Sequence, residues 1–161
     1  MPLVINMKDF FTTSLYKYLV QVLLIAGLTL TGIKYYHSST ISNSPTHIVF
    51  IENSWDEALK QAALQKKYIF VDAYAIWCGP CKMLKMQTFT DDKAAAFYNS
   101  NFINVAIDME KGRGPELARQ WQLRAYPTLI IFDSKGKPVL GTVGFIKADE
   151  LIRFGKEALK K

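Results

Sequence analysis

The chain contains two cysteines, Cys78 and Cys81, and only two residues separate them. A largely apolar run from Tyr68 to Ala75 precedes the pair, which is therefore expected to lie where a strand ends and a helix begins. At this spacing, two sulfurs on the first turn of a helix can close a small disulfide ring and reopen it. The free N–H groups and the partial positive charge of a helix N-terminus favour the thiolate form of the first cysteine. The pattern indicates a redox-active dithiol.

Two other uses of a cysteine pair remain open at this point. A structural disulfide across two residues closes too small a loop to stabilise the fold much. A zinc site normally takes four ligands, and the two histidines of the chain, His37 and His47, lie in or beside a polar segment. Pro80 fits the redox interpretation, because proline is tolerated in a first helical turn, where its missing N–H is not needed.

The residues from 77 to 82 read Trp-Cys-Gly-Pro-Cys-Lys, which resembles the active-site hexapeptide of the thioredoxin family at every position. Asp72 lies six residues before the first cysteine, where thioredoxins carry a buried acid. Tyr126-Pro127-Thr128 lies just before another apolar run, where the family carries a cis-proline. Together these features extend over about residues 46 to 161. The resemblance implies a thioredoxin fold and a reaction that needs no cofactor beyond the redox-active disulfide itself.

The resemblance also implies a role for each reacting side chain. Cys78 is the expected nucleophile, the more exposed of the two sulfurs, with a lowered pKa, and Cys81 is the expected resolving thiol. Asp72 is a carboxylate inside an apolar strand, and burial raises the pKa of a carboxyl group. It is therefore expected to take the proton from Cys81. The alternative is an acid that only accepts a structural hydrogen bond.

Five residues around the cysteines are expected to bind the protein substrate. The Tyr126–Pro127 peptide is expected to be cis and to leave the backbone of Tyr126 free to pair with an extended substrate strand. The alternative is an ordinary proline at a strand edge. Tyr126 stands where thioredoxins commonly have a smaller aliphatic residue. Trp77, Gly79 and Pro80 complete the set beside the nucleophile.

The chain departs from the thioredoxin pattern at two positions. Asn104 stands where thioredoxins often have a lysine close to the buried acid, so we expect Asp72 to lack a cationic neighbour and to have a higher pKa. Met86 stands where many have a helix-kinking proline, so we expect the active-site helix to run straight. Residues 82–92 are instead similar to the C-terminal domain of the transmembrane thiol:disulfide interchange protein.

Apolar runs and helical periodicity alternate from residue 48 to residue 160. Strands are predicted at 48–51, 68–75, 102–107, 128–132 and 138–143, and helices at 55–63, 79–87, 93–99, 115–121 and 147–160. The short Ser-Lys-Gly connection between the last two strands implies antiparallel pairing. This order predicts an α/β fold with a central mixed β-sheet and helices on both faces, in agreement with the thioredoxin resemblance. An N-terminal hydrophobic helix is expected to precede it.

That hydrophobic segment has no charge between residues 18 and 33 and is flanked by Lys17 and Lys34. As a helix it would extend about 24 Å, short of a hydrocarbon core of about 30 Å, although the flanking lysines can reach the interfaces. We divide the chain accordingly into an N-terminal flank (1–17), a transmembrane signal-anchor or signal peptide (18–34), a polar tether (35–46) and a thioredoxin-like domain (47–161). A clean small-x-small cleavage site is missing, and Ser38-Ser39-Thr40 is a poor substitute, which favours the anchor. A cleaved signal peptide, giving a secreted domain, and a buried helix of the fold are the alternatives.

Length and charge reduce the number of possible functions further. The 161 residues suffice for one domain with an appendage. The net charge of +6 is spread along the chain without a dense basic block, which argues against a nucleic-acid partner. The cations before the hydrophobic segment favour an N-terminus inside and a domain outside, which in a bacterium means the periplasm.

These observations together predict a membrane-tethered enzyme that reduces protein disulfides. Its partners would be disulfide-containing proteins and an upstream thiol electron donor, such as a membrane reductase. One alternative is a dithiol oxidase or isomerase of secreted proteins, which a strongly lowered pKa of Cys78 would favour. The other is a binding module in cytochrome c maturation that delivers apo-cytochrome c or a metal, although the chain has no Met/His-rich insertion to support metal delivery.

Overall fold

The computed structural model of the chain describes residues 17–23 and 45–161. Residues 17–23 are helical and exposed, and no helix within these two ranges is long and apolar enough to cross a bilayer. Residues 24–44 lie outside the described ranges, and with them lie the rest of the predicted membrane segment and most of the predicted tether. The same holds for residues 1–16 of the predicted N-terminal flank.

The chain divides into a unit of Met1–Asn43 and a compact unit of Ser44–Lys161, which is built on a five-stranded sheet. The strands of this sheet are β1 (Ile51–Glu52), β2 (Tyr68–Tyr74), β3 (Phe102–Asp108), β4 (Thr128–Phe132) and β5 (Pro138–Val143). Their spatial order is β1-β3-β2-β4-β5. Strand β3 pairs parallel with β1 and β2, whereas β4 pairs antiparallel with β2 and β5. The predicted central mixed sheet is confirmed.

The helices of this unit are α1 (Trp55–Gln65), α2 (Gly79–Met83), α3 (Asp92–Asn101), α4 (Gly114–Gln120) and α5 (Ala148–Ala158). A π-helical turn at Leu84–Thr88 continues α2. Helix α3 begins after Asp91, because the carboxylate of Asp91 accepts the N–H groups of Lys93 and Ala94 at 3.0 and 2.9 Å. The π-helical turn therefore ends close to a well-capped helix start.

Alternate residues of the central strand β2 point to opposite faces of the sheet. Val71 belongs to a core formed with α1 and α4 on one face, whereas Phe70 belongs to a core formed with the π-helical turn, α3 and α5 on the other. Tyr98 of α3 joins this second core, and its hydroxyl donates to the carbonyl of Leu151 on α5 at 2.7 Å. The predicted helices on both faces are thereby confirmed. Asp72, two residues after Phe70, shares the second face.

The first strand is shorter than the predicted strand 48–51, because β1 begins only at the last of these residues. The N–H of Ile48 donates to the carbonyl of Phe89 at 2.8 Å, and the N–H of Val49 donates to Asn99 Oδ1 at 2.9 Å. These two donors are bonded to segments other than β3. The backbone before β1 therefore does not extend the sheet.

The active-site helix continues beyond α2 without a proline at Met86, but it changes to a π-helical turn, so the expectation of a straight helix stays a prediction. In the π-helical turn the N–H of Phe89 donates to the carbonyl of Leu84, five residues earlier, at 2.9 Å. The hydroxyl of Thr88 donates to the carbonyl of Ile146 at 2.7 Å and so ties the turn to the segment before α5. The wider turn changes which residues face the sheet after the cysteines.

Candidate active site

The two cysteines lie at the start of α2 and are joined by a disulfide, with 2.03 Å between the sulfurs and 5.3 Å between the Cα atoms. Cys78 is the N-cap residue, and Pro80 lies in the first turn and is exposed. The N–H of Cys81 donates to Cys78 Sγ at 3.2 Å. Helix N–H groups directed at this sulfur stabilise negative charge on it once the disulfide is reduced. The geometry therefore suits Cys78 for the role of nucleophile.

Both cysteines are buried, and each is only 2% exposed. The prediction that Cys78 is the more exposed sulfur is therefore wrong for this disulfide form. Tyr74 and Tyr126 pack against the cluster that Ala75 forms with the two cysteines, which accounts for the burial. Access of a substrate sulfur to Cys78 therefore depends on where these two aromatic rings lie.

Trp77 stands beside the disulfide as a large side chain that is 67% exposed. Its indole N–H donates to Glu110 Oε1 at 2.9 Å, and its ring meets the ring of Tyr126 edge-on, with 6.3 Å between the centroids. No motif in the sequence singles out Glu110. This residue follows β3, whose C-terminal end lies beside that of the parallel strand β2. A search of the residues that follow both strands could have found it.

The Tyr126–Pro127 peptide is cis, as the resemblance implies. Strand β4 begins directly after it at Thr128, and the carbonyl of Pro127 accepts the N–H of Gly144 at 2.8 Å. The backbone of Tyr126 makes no hydrogen bond with another residue in the described part of the chain. The space around Gly79 is also open, since a Cβ atom there would meet nothing within 4 Å. Next to the disulfide, the backbone groups of Tyr126 are therefore without partners among the described residues and the space beside Gly79 is open.

Asp72 is fully buried in β2, and neither of its carboxyl oxygens has a hydrogen-bond partner among the described residues. The alternative role of a structural hydrogen-bond acceptor thus finds no donor there. Burial is the largest influence on the pKa of Asp72 and raises it to about 7, while Lys85 lowers it and Glu52 raises it. The prediction of a raised pKa agrees with this value.

The prediction that Asp72 lacks a cationic neighbour is wrong. Lys85, on the π-helical turn, supplies a positive charge that acts on the carboxyl group of Asp72. The Nζ atom of Lys85 lies 3.7 Å from the ring centroid of Tyr74. Asn104 carries no charge, and its side-chain amide donates instead to the carbonyl of Val49 at 3.3 Å and to Asn99 Oδ1 at 3.1 Å. In the thioredoxin pattern the lysine lies on the strand that corresponds to β3, whereas here the cation lies on the π-helical turn. The position of Asn104 alone therefore does not reveal it.

Most of the compact unit matches a known protein family. The family model of the thioredoxin-like domain matches residues 55–159. The chain belongs to the thioredoxin-like domain family. With its Cys78–Cys81 pair it is a thioredoxin-like disulfide oxidoreductase, and the expected thioredoxin fold is confirmed.

Individual relatives of this thioredoxin-like chain support the same class. The thiol:disulfide interchange protein DsbD of Colwellia psychrerythraea is 28% identical over 134 residues, which cover 78% of this chain but only 22% of that protein. Thioredoxin H2-2 of Oryza sativa subsp. japonica is 35% identical over 101 residues, covering 62% of this chain and 69% of that one. The solution structure of a proposed disulphide isomerase from Bacteroides thetaiotaomicron is 42% identical with a TM-score of 0.64, and the match covers 71% of this chain and 95% of that one.

Other parts of the thioredoxin-like domain carry none of the predicted site residues. A groove of about 750 Å³ lies between residues 120–124 and strands β4 and β5, and neither cysteine lines it. Within residues 17–23 and 45–161, no group of three or more histidine, cysteine or carboxylate side chains is arranged to hold a metal ion. The sequence motif, the fold and the family match all indicate the start of α2 as the active site.

Proposed function

We propose that this thioredoxin-like protein reduces disulfide bonds in other proteins with its Cys78–Cys81 dithiol. The observation that supports it best is the position of Cys78 at the N-cap of α2, where its sulfur accepts the N–H of Cys81. A thiolate at Cys78 is stabilised there and remains a good nucleophile.

The reaction begins when the Cys78 thiolate attacks one sulfur of a substrate disulfide. A mixed disulfide forms, and the other substrate sulfur leaves as a thiolate. Cys81 then gives up its proton and attacks Cys78 Sγ, which forms the disulfide of the described structure and releases the second substrate sulfur. Two electrons pass to the substrate, which becomes a dithiol, and the protein must be reduced again by a thiol donor.

Asp72 is the proposed acceptor of the Cys81 proton. Its carboxyl group is buried without a hydrogen-bond partner in the described ranges, and its pKa of about 7 lets it exist in both protonation states near neutral pH. A general base works best when its pKa lies close to the working pH. These properties suit a group that takes up a proton and passes it on.

The exposed surface around the disulfide is the proposed docking site for the substrate. Trp77 offers a large apolar surface, and Gly79 and Pro80 are exposed next to Cys78, with open space beside Gly79. The backbone of Tyr126, which precedes Pro127, is free to pair with an extended substrate segment. Such backbone pairing fits an enzyme that accepts disulfides in many sequence contexts.

Reduction is favoured over the opposite flow because the Gly-Pro pair between the cysteines resembles that of the reducing members of the family. Isomerisation or oxidation of secreted proteins is the second candidate. The relative from Bacteroides thetaiotaomicron, 42% identical to this chain, is itself described as a proposed disulphide isomerase. The described structure offers no observation in favour of a cytochrome c assembly module.

We further propose that residues 18–34 tether the domain to the membrane and that it faces the cell envelope. The support is the uncharged run between Lys17 and Lys34. A domain in that location is out of reach of a cytosolic NADPH-linked reductase, so its electrons would come from a membrane thiol donor. The chain spans only 22% of the DsbD protein that it matches, so the donor of the chain is not taken over from that relative.

The reduction potential of the Cys78–Cys81 pair in the whole chain tests the proposed direction. The chain is equilibrated with glutathione and dithiothreitol buffers, and the fraction of disulfide is measured by mass after thiol alkylation. A potential near about −270 mV supports a reductase, whereas a potential between about −180 and −120 mV overturns the proposal and favours isomerisation or oxidation.

A further inference from the structure

The π-helical turn places a lysine on the same face of the sheet as the buried acid. Asp72 and Tyr74 are two residues apart on β2, so both side chains point to one face, and corresponding atoms are about 7 Å apart along the strand. The Nζ atom of Lys85 lies 3.7 Å from the Tyr74 ring centroid. A cation–π contact of this kind holds the ammonium group beside the strand although Lys85 is exposed.

An acidic residue lies across the sheet from Asp72, two strands away. In the sheet register Glu52 of β1 lies opposite Ala106 of β3, and Ala106 lies opposite Asp72. The small side chain of Ala106 leaves room for a cavity of about 190 Å³, which Glu52, Lys85 and Phe89 also line. The negative charge of Glu52 and the positive charge of Lys85 therefore meet beside Ala106, the neighbour of Asp72 in the sheet.

We propose that Lys85 is a positioning residue for the dithiol reaction, whose ammonium group favours the carboxylate form of Asp72 and so keeps it able to accept the Cys81 proton at neutral pH. The electrostatic part stands on the contacts above. Only the kinetic consequence rests on the proposed dithiol chemistry.

The path of the Cys81 proton shows that Lys85 acts only through its charge. When Cys81 attacks the mixed disulfide, its S–H proton goes to the Asp72 carboxylate, a bond forms between Cys81 Sγ and Cys78 Sγ, and the bond from Cys78 to the substrate breaks. The substrate sulfur leaves as a thiolate and takes a proton from water. Asp72 then returns its proton to water. Lys85 keeps its charge throughout.

Burial and two charges of opposite sign act on the carboxyl group of Asp72. Burial raises the pKa of Asp72 to about 7, Lys85 lowers it and Glu52 raises it. Burial and the nearby carboxylates of Glu52 and Asp108 raise the pKa of the Tyr74 hydroxyl above its ordinary value, so Tyr74 adds no charge to this face. A further rise of about one unit at Asp72 would cut its carboxylate fraction at pH 7 from roughly one half to roughly one tenth.

Titration of the Asp72 carboxyl group tests the electrostatic role without an activity assay. The carboxyl carbon is followed by 13C NMR in the reduced chain for the parent and for Lys85→Met, Lys85→Arg and Lys93→Met. Lys93 is an exposed lysine of α3, so Lys93→Met removes the same charge elsewhere. We expect Lys85→Met to raise the Asp72 midpoint by about one pH unit, and Lys85→Arg and Lys93→Met to leave it near the parent value. An unchanged midpoint in Lys85→Met overturns the inference.

The rate at which Cys81 resolves a preformed mixed disulfide tests the kinetic part. In Lys85→Met the pH profile of this step should move to higher pH by the same amount as the Asp72 midpoint, with a rate about fivefold lower at pH 7. A profile that stays in place while the Asp72 midpoint moves contradicts the kinetic part. The reduction potential of the parent reports separately on the proposed direction, and the midpoint shift is expected even if the chain proves to be an oxidant.

Discussion

The indole N–H of Trp77 donates a hydrogen bond of 2.9 Å to Glu110 Oε1, across 33 positions of sequence. Trp77 would otherwise be a large exposed side chain free to rotate beside the disulfide. Its ring also meets Tyr126, which packs against the cysteines. The carboxylate after β3 therefore fixes the orientation of the apolar surface proposed as the docking site.

Removal of the Glu110 acceptor should weaken substrate docking more than the chemical step. A hydrogen bond of this kind contributes about 1 kcal/mol, so Glu110→Ala should raise KM for a protein disulfide about fivefold and change kcat little. Glu110→Gln keeps an oxygen acceptor and should stay close to the parent. The measurement is steady-state reduction of a protein disulfide. If Glu110→Ala has the parent KM, the contact does not position Trp77 for binding.

The order of attack by the two cysteines predicts which variant accumulates a mixed disulfide. Cys81→Ser keeps the nucleophile Cys78 but cannot release the substrate, so a covalent complex should persist on a non-reducing gel. Cys78→Ser should give none, because the remaining thiol lacks the N-cap position. Peptide mass mapping identifies the linked cysteine. A complex formed through Cys81 in Cys78→Ser at a similar rate would contradict the assigned roles.

Asp72 should make the folded protein less stable as pH rises. Its pKa is 3.8 in the unfolded chain and about 7 when folded, so the folded state binds the extra proton between these values. The free energy of unfolding should be highest below the unfolded value and fall by about 4 kcal/mol as pH rises through 7. Asp72→Asn should remove this slope in urea unfolding of the oxidised chain. The slope is the test, because a buried amide without partners carries its own cost.

A second carboxylate provides a control of opposite sign for this experiment. The backbone N–H groups of Lys137 and Lys135 lower the pKa of Asp133. Its stabilising contribution is present above the unfolded value and is lost as pH falls through the folded value. Asp133→Asn should therefore lose stability at neutral pH and none in strong acid. If Asp72→Asn keeps the parent slope while Asp133→Asn behaves in this way, the carboxyl group of Asp72 is not the source of that slope.

Local sequence patterns were enough to predict the strands and helices that position the site. They were not enough to predict the contacts between segments that are distant in sequence. The strands 128–132 and 138–143 have their predicted bounds, because apolar runs and a short turn define them locally. The strand predicted at 48–51 is mostly absent, since donors there bind residues from elsewhere in the chain. Lys85 and Glu110 escaped notice for the same reason. Lys85 contacts Tyr74 because the helix changes to a π-helical turn. Glu110 binds Trp77 because β2 and β3 pair in a particular register. Local sequence patterns predict neither feature.

The proposed membrane tether can be tested independently of the redox chemistry. Expressed in a bacterial host, the chain should remain in the membrane fraction after an alkaline carbonate wash, and deletion of residues 1–34 should release it. Leu24→Arg together with Ile25→Arg keeps the length of the segment but places charges near its centre, at about 2.5 to 3.5 kcal/mol each. This variant should also leave the membrane fraction. The reduction potential should be the same in all three proteins.

The mass of the mature protein separates the tether from a cleaved signal peptide. A membrane-bound chain of full mass is the expected result, because the polar residues that follow the hydrophobic run offer no clean Ala-x-Ala-like cleavage site. A shortened, soluble protein outside the cytoplasm would replace the tether with a secreted domain and leave the proposed dithiol chemistry intact. A soluble chain of full mass inside the cell would contradict both, and it would make a cytosolic thioredoxin reductase the expected electron donor.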